Sequence, residues 1–338
     1  MIPRDRVTAI LDRMRQRRVV VVGDAMLDIY LLGDADRISP EAPVPVVTVQ
    51  ERRYALGGAA NVAANAAATG ARVSLVATIG DDRRGEHLRT EMAAAGIGDD
   101  GLLVLSDRPT TSKTRVVARG QQMVRIDEEE DGAPDGAAQD RLIALARRAL
   151  ADADSVLIED YNKGVLTPAV IEAVLDAARE RGVPSVVDPK FRNFFAYRGS
   201  TVFKPNRREL EAALGAAVDL EHADALPQAI ERLDVQNLLL TLGRNGMVLV
   251  GRDGALTRIP AVAREVYDVS GAGDTVTAWT GTALASGAAV REAAELANYA
   301  AGIEVGKSGV AVVTREEVLE LYERSFDQAG MFRRGGVL

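Results

Sequence analysis

The stretch DVSGAGDTVTA at residues 268–278 joins a loop of small residues to an acidic side chain. Gly271, Ala272 and Gly273 leave their backbone N–H groups uncovered, and the apolar run that follows predicts a buried helix. A helix N-terminus attracts anions such as phosphate because its first N–H groups lack partners and its dipole is positive there. Asp274 follows at once and could accept the proton of an attacking hydroxyl group. The alternative is that Asp274 only caps the helix.

The composition excludes several other chemistries. The 338 residues contain no cysteine and two histidines, which rules out thiolate nucleophiles, disulfides and histidine-rich metal sites. Any metal is then expected to be Mg²⁺ on oxygen ligands. The net charge of −8 argues against binding to nucleic acid or to acidic membranes. The N-terminus lacks an apolar signal segment and no run approaches the roughly 20 apolar residues of a membrane span, so we expect a cytoplasmic protein.

Two other phosphate-binding motifs fail on spacing. In GIEVGKSG (302–309), three residues separate the first glycine from the Gly-Lys pair where a P-loop requires four, and the segment follows a helical pattern. The loop at 271–273 is not a dinucleotide fingerprint, because its third glycine would fall at Val276. A phosphate loop with its own carboxylate is the motif that remains, and it suits phosphoryl transfer.

The elements that must position this loop follow an α/β pattern. Continuous apolar runs, typical of strands buried on both faces, alternate with helical patterns and predict a mostly parallel sheet covered by helices. The predicted strands are 18–24, 73–80, 155–160, 184–189, 201–206 and 237–243. Predicted helices begin at Thr167-Pro168, closing at Gly182, and at Asn206, and residues 58–70 form a helix of small side chains.

Two stretches, 29–56 and 110–128, break this order with strand-type alternation. We interpret them as a small separate sheet that serves as a lid. Residues i and i+2 share a face of a strand, so one side of the second stretch is expected to carry Lys113, Arg115, Arg119 and Arg125. These side chains either hold an anionic substrate or form a solvated basic edge. The polar residues 128–140 are predicted to form a loop.

The segment DVSGAGD (268–274) resembles the C-terminal signature of the PfkB/ribokinase family of sugar kinases, and GGAANVA (57–63) resembles its N-terminal signature. The resemblance extends over roughly residues 18–320. It implies one ribokinase-like domain over residues 1–338, a three-layer α/β/α sandwich with a mostly parallel sheet and a small β-sheet lid. It also implies an ATP-dependent kinase that uses Mg²⁺.

The resemblance gives roles to individual positions. Asp274 is the implied catalytic base, with the N–H groups of Gly271, Ala272 and Gly273 as the anion hole. The implied sugar-binding positions are Asp24, Asp28, Gly57, Gly58, Asn61 and Asp160. If the sugar already carries a phosphate, its partners are expected among Lys113, Arg115, Arg119, Arg125 and Lys163. Asp24 could instead cap a strand end, and Lys163 could simply be exposed.

The implied nucleotide-binding positions are Lys190, Asn206, Glu209, Thr241, Gly243, Gly246 and Asn298. Asn206 and Glu209 match the family's N-x-x-E motif, which organises Mg²⁺ and the nucleotide phosphates through water. The same spacing is that of a helix capping box, and the two roles are compatible. By resemblance alone, a monovalent cation such as K⁺ could bind near Asp268 and Val269.

The segments RISPEAPVPVV (37–47) and DYNKG (160–164) further resemble the heptose 7-phosphate kinase branch of the family. This implies phosphorylation of the anomeric hydroxyl, giving the 1,7-bisphosphate in ADP-heptose formation. Asn162 stands where alanine is expected, and no cytidylyltransferase-like domain follows, so we expect the kinase-only form. The alternatives are another acceptor (fructose 6-phosphate, ribose or fructose) or a sugar-binding protein without catalysis. The resemblance also implies a homodimer formed through the lid strands.

Overall fold

The computed structural model describes residues 2–219, 225–262, 267, 269–307, 309 and 311–334. Within them the strands are β1 Arg18–Gly23, β2 Ala25–Ile38, β3 Pro45–Gly58, β4 Arg72–Gly80, β5 Leu102–Leu105, β6 Ser112–Ala118, β7 Gln121–Glu128, β8 Ser155–Glu159, β9 Ser185–Asp188, β10 Val202–Phe203, β11 Asn237–Thr241, β12 Met247–Gly251 and β13 Leu256–Ile259. The α-helices are α1 Arg4–Met14, α2 Ala59–Ala68, α3 Arg83–Ala94, α4 Gly136–Leu150, α5 Pro168–Arg181, α6 Arg207–Leu214, α7 Ala225–Leu233, α8 Ala272–Ala285, α9 Val290–Glu304 and α10 Arg315–Arg334. None of these helices is long and apolar enough to cross a bilayer.

The main sheet has nine strands in the order β13-β12-β11-β10-β9-β8-β1-β4-β5. All six predicted strands are present in it, and from β5 to β11 the neighbours pair in parallel. The antiparallel edge formed by β12 and β13, and the short strand β5, were not predicted. The carboxyl ends of the parallel strands therefore lie along one edge of the sheet, where ligands bind in open α/β folds.

Helices cover both faces of this sheet. The side chains of β1 alternate between two hydrophobic clusters: Val19 and Val21 pack with residues of α2, α8 and α9, whereas Val20 and Val22 pack with residues of α4 and α5. A strand that buries both faces must be apolar throughout, which accounts for the continuous valine run in the sequence. The predicted three-layer α/β/α sandwich is confirmed.

Local signals set the ends of two helices. The Thr167 side chain accepts a hydrogen bond from the N–H of Val170, and α5 ends at Gly182 in the left-handed conformation with φ 65°. Asn206 and Glu209 form a reciprocal capping box at the start of α6. Both predicted helix starts are therefore confirmed, and α6 begins at the sheet edge because its cap directly follows β10.

The two stretches predicted as a lid form a separate four-stranded sheet in the order β3-β2-β6-β7, called the lid sheet or lid below, and its function as a lid stays a prediction. Arg115 on β6 lies opposite Arg125 on β7, so these two side chains share a face, as expected. The placement of Arg119 on that face is wrong. Arg119 lies in the turn after β6 with φ 52°, and its guanidinium pairs with Asp36.

Candidate active site

Asp274 lies in the first turn of α8, which follows Gly271 in the left-handed conformation at φ 94°. Its Oδ2 accepts a 2.7 Å hydrogen bond from the Asn61 amide, and its Oδ1 accepts one of 3.1 Å from the Tyr161 hydroxyl. The carboxylate thus bonds to side chains of other elements, and no side-chain capping bond is present at this helix start. Burial raises the pKa of Asp274 to about 6, which suits a general base near neutral pH.

A cavity of about 430 Å³ opens at this helix start. Its lining contains Asp274 and the loop residues Gly271, Ala272 and Gly273. Every residue predicted to bind the nucleotide also lines it, namely Lys190, Asn206, Glu209, Thr241, Gly243, Gly246 and Asn298. The structure therefore brings the predicted base, anion hole and nucleotide positions together around one space.

The capping box of α6 lies in this cavity wall. The Asn206 Oδ1 accepts from the N–H of Glu209 at 2.9 Å, and Glu209 Oε2 accepts from the N–H of Asn206 at 2.8 Å. The second oxygen of Glu209 accepts from Lys190 Nζ at 2.6 Å. The capping role is therefore real, and the motif still presents a carboxylate and an ammonium group to the cavity.

A buried charge cluster beside Asp274 was missed by the sequence reasoning. Lys204 Nζ lies 2.7 Å from Asp188 Oδ2, and oxygens of Glu159, Asp188 and Asp274 all lie within 4.8 Å of one another. Burial raises the pKa of Glu159 well above its usual value, and the two neighbouring aspartates add to this effect. One Glu159 oxygen has no hydrogen-bond partner within the described part of the chain. The signal was present, because Glu159, Asp188 and Lys204 all lie in the carboxyl-terminal halves of predicted strands.

Tyr161 is a second residue that the sequence reasoning did not assign. Its hydroxyl contacts Asp274, its backbone N–H donates to Asp24 at 2.8 Å, and Lys190 Nζ lies 5.1 Å from the centre of its ring. The last contact is a cation–π interaction at the cavity wall. Tyr161 therefore connects the predicted base, a predicted sugar position and a predicted nucleotide position.

Asp24 is buried directly after β1, and backbone N–H groups donate hydrogen bonds to its carboxylate. Its carboxylate accepts from the N–H groups of Tyr161, Lys163 and Val165 at 2.8, 3.0 and 3.1 Å. Burial raises the pKa of Asp24 to about 6, and the backbone donors oppose that effect. This geometry fits the alternative that Asp24 caps a strand end and orders the loop at 161–165, and its contact with sugar stays a prediction.

Gly57 and Gly58 lie where β3 meets α2. Gly58 has φ 53°, and a Cβ at this position would lie 2.4 Å from the Asp24 carbonyl oxygen. The glycine is therefore required by both conformation and space. At Gly57, a Cβ would lie 3.2 Å from Asp28 Oδ2, so the residue leaves room beside that carboxylate.

The other two acidic residues predicted to bind the sugar, Asp28 and Asp160, also have hydrogen-bond partners within the protein. Asp28 accepts a 2.7 Å bond from Arg115, and Asp160 accepts bonds of 2.7 Å from the Tyr197 hydroxyl and from the N–H of Asn162. Asn162, the residue that departs from the family pattern, has φ 56°. Both carboxylates are nearly inaccessible, and their roles toward a sugar stay predictions.

The four basic residues predicted to bind the sugar phosphate that remain candidates are all paired with acidic residues. Arg125 pairs with Asp127, Lys113 with Asp127 and Glu129, and Lys163 with Glu129 and Asp131. Together with Arg115 on Asp28, they form a charged group at the junction between the lid and the main sheet. Among the described residues, none of these four lines the 430 Å³ cavity.

Solved structures share this fold. Arabidopsis thaliana ribokinase, complexed with ribose and ATP, superposes with a TM-score of 0.71 at 23% identity, covering 90% of this chain and 98% of that one. The tetrameric inhibited form of Escherichia coli phosphofructokinase-2 gives a TM-score of 0.73 at 17% identity, covering 91% and 98%. These likenesses define the class as a ribokinase-like α/β fold.

Sequence comparisons give the family. Residues 16–316 match the family described as pfkB family carbohydrate kinase. The bifunctional protein HldE of Geobacter metallireducens is 45% identical over 320 residues, covering 94% of this chain and 65% of the relative. HldE of Azorhizobium caulinodans is 47% identical over 313 residues, covering 92% and 65%. The chain thus belongs to the PfkB family of carbohydrate kinases, which confirms the predicted family, and it spans just under two thirds of these relatives' length.

Proposed function

We propose that this protein transfers the γ-phosphoryl group of ATP to the anomeric hydroxyl of D-glycero-β-D-manno-heptose 7-phosphate, giving the 1,7-bisphosphate. The observation that carries the reaction type is the position of Asp274 beside the helix start at residues 271–273 in one cavity, where the N–H of Ala272 makes only a long, 3.4 Å bond to the Val269 carbonyl. The acceptor is supported by the sequence segments 37–47 and 160–164 and by relatives of 42–47% identity that are named HldE.

In this mechanism Asp274 is the general base. The anomeric oxygen attacks the γ-phosphorus while its proton passes to a carboxylate oxygen of Asp274. The bond between the γ-phosphorus and its bridging oxygen breaks, and ADP leaves with the electron pair. The N–H groups of Gly271, Ala272 and Gly273 stabilise charge on the moving phosphoryl group, an effect worth about 3–4 kcal/mol per donor in comparable sites.

Mg²⁺ fits this site, because the cavity wall carries the carboxylates of Asp188, Glu209 and Asp274, and a Glu159 oxygen lies within 4.8 Å of oxygens of the two aspartates. Asn206 and Glu209 would hold the ion through water, with Asp188 beside them. Bound with ATP, Mg²⁺ neutralises phosphate charge. K⁺ remains a prediction from resemblance, since Asp268 lies outside the described residues. The cytoplasmic location also stays a prediction.

The test of the acceptor is a panel assay with ATP and purified full chain. Heptose 7-phosphate is expected to give the highest kcat/KM, with fructose 6-phosphate, ribose and fructose at least about tenfold lower. Equal or faster turnover of ribose or fructose would contradict the heptose assignment and leave the kinase chemistry intact. Turnover of none of them would favour a sugar-binding protein without catalysis.

We further propose a homodimer that forms through the lid. The lid sheet leaves several large apolar side chains exposed, namely Ile38, Val44, Val49, Met123, Val124 and Ile126. These exposed apolar side chains and the two edge strands, β3 and β7, favour association with a second copy. Light scattering should give twice the 36.0 kDa chain mass, and Val124→Glu should give the monomer. A wild-type monomer at micromolar concentration would contradict the proposal.

A further inference from the structure

Glu129 directly follows β7 and contacts two lysines from different parts of the fold. Its Oε2 lies 3.4 Å from Nζ of Lys113 on β6, and its Oε1 lies 2.8 Å from Nζ of Lys163 in the loop after β8. The two lysine side chains are 17% and 13% exposed, and besides Glu129 each has an aspartate partner, Asp127 at 3.3 Å for Lys113 and Asp131 at 2.7 Å for Lys163. One carboxylate therefore lies between a cation of the lid and a cation of the main domain.

Lys163 is connected to Asp24, one of the residues predicted to bind the sugar. The N–H of Lys163 donates to the same Asp24 oxygen as the N–H of Tyr161, and the hydroxyl of Tyr161 reaches Asp274. Asp24 and the side chain of Tyr161 thus connect the backbone at Lys163 to the predicted base. The other lysine lies two residues from Arg115 on the same strand, and Arg115 contacts its backbone carbonyl.

Separate contacts hold the backbone around Glu129. Arg108 donates to the carbonyls of Glu130 and Lys163, and Arg192 donates to the carbonyls of Asp131 and Asn162. The backbone at Gly132 is also tightly packed. A Cβ added at Gly164, in the neighbouring loop, would lie 2.1 Å from the Gly132 carbonyl oxygen. None of these contacts uses the Glu129 carboxylate. The side chain can therefore leave the lysines without displacement of the segment that carries it.

We propose that the Glu129 carboxylate occupies the place of the acceptor's phosphate group and is displaced from Lys113 and Lys163 when a sugar phosphate binds. This inference rests on the proposed function in one respect: the acceptor sugar carries a phosphate group. A phosphate dianion compensates both ammonium groups through charge-assisted hydrogen bonds. An unphosphorylated sugar offers no such replacement, so Glu129 is a specificity-determining residue that makes the site select for a phosphorylated acceptor.

Glu129→Gln tests this assignment, because it keeps the side-chain size and removes the competing charge. Binding of inorganic phosphate to the full chain, measured by calorimetry without sugar, should tighten by about tenfold. Glu128→Gln is the matched control: it changes the preceding residue, which pairs with Arg84 away from the lysines, and should leave phosphate affinity unchanged. Phosphate bound at the nucleotide loop contributes equally in all three proteins.

The double variant Glu129→Gln/Lys163→Met should lose the gain in phosphate affinity. A Glu129→Gln protein that folds with unchanged Tm and binds phosphate no more tightly than wild type would overturn the inference. Wild-type turnover of heptose 7-phosphate alongside that result would leave the proposed function standing. Tighter phosphate binding together with preference for another sugar phosphate would support the role of Glu129 and overturn only the heptose assignment.

Discussion

The hydroxyl of Tyr161 donates a 3.1 Å hydrogen bond to Oδ1 of Asp274, while the Asn61 amide bonds the other carboxylate oxygen at 2.7 Å. Two donors from different elements thus fix the orientation of the carboxylate. Each oxygen has two lone pairs, so Asp274 retains the capacity to accept a bond from a substrate hydroxyl. The base is therefore positioned before substrate binds, which is the condition for efficient proton transfer.

The pKa of Asp274, raised to about 6 by burial, predicts the acid limb of the pH profile. The ionised carboxylate is the active form, so kcat/KM should rise with pH, with a midpoint near 6, and then level off. Steady-state rates between about pH 5 and 8 at saturating ATP measure it. A profile that stays flat across this range would contradict the role of Asp274.

Tyr161→Phe should move that midpoint to higher pH. The hydroxyl stabilises the ionised carboxylate, so its removal raises the pKa of Asp274 and lowers kcat at neutral pH by up to about tenfold. Tyr197→Phe is the matched control, because it removes a hydroxyl that bonds Asp160 and not Asp274. An equal shift in both variants would indicate a general structural effect.

Glu209→Gln separates the two roles of the capping box. Glutamine can still accept from the N–H of Asn206, so thermal stability should change little, but the charge facing Lys190 is lost. We expect KM for MgATP to rise by about tenfold at unchanged Tm. Glu292→Gln, at the start of α9 and remote from the cavity, should leave KM unaffected. A fall in Tm without any change in KM would assign Glu209 to capping alone.

Gly58→Ala should destabilise the fold. The φ of 53° is strained for alanine, at about 1–3 kcal/mol, and the new Cβ would also clash with the Asp24 carbonyl at 2.4 Å. Gly182→Ala shares the positive φ but has open space around its Cβ, so it should cost only the backbone strain. Denaturant unfolding compares the two, and equal losses would show that the close approach is unimportant.

Local signals in the sequence were sufficient for much of the fold. The valine run of β1, the Thr167 cap and the glycine at 182 each specify an element through its own residues, and all appear as expected. The lid was recognisable because strand-type alternation differs from the continuous apolar runs of the main sheet. Arg119 was misplaced because alternation alone does not show where a strand turns.

The candidate site was only partly predictable. The loop at 271–273 carries its chemistry in adjacent residues, so the sequence alone marks it. The cluster of Glu159, Asp188 and Lys204 arises from three strands that meet only in the folded sheet. Likewise, pairing of Glu129 with two lysines depends on the approach of the lid to the main domain, which no local pattern encodes.

The most direct test of the proposed chemistry is the turnover of Asp274→Asn. Asparagine keeps the shape of the side chain and can still bond Asn61 through its oxygen, but it cannot take up the proton of the sugar hydroxyl. We predict that kcat falls by at least about 10²-fold while ATP binds with nearly unchanged affinity. A kcat within a few-fold of wild type, with the protein folded and ATP bound, would contradict the account.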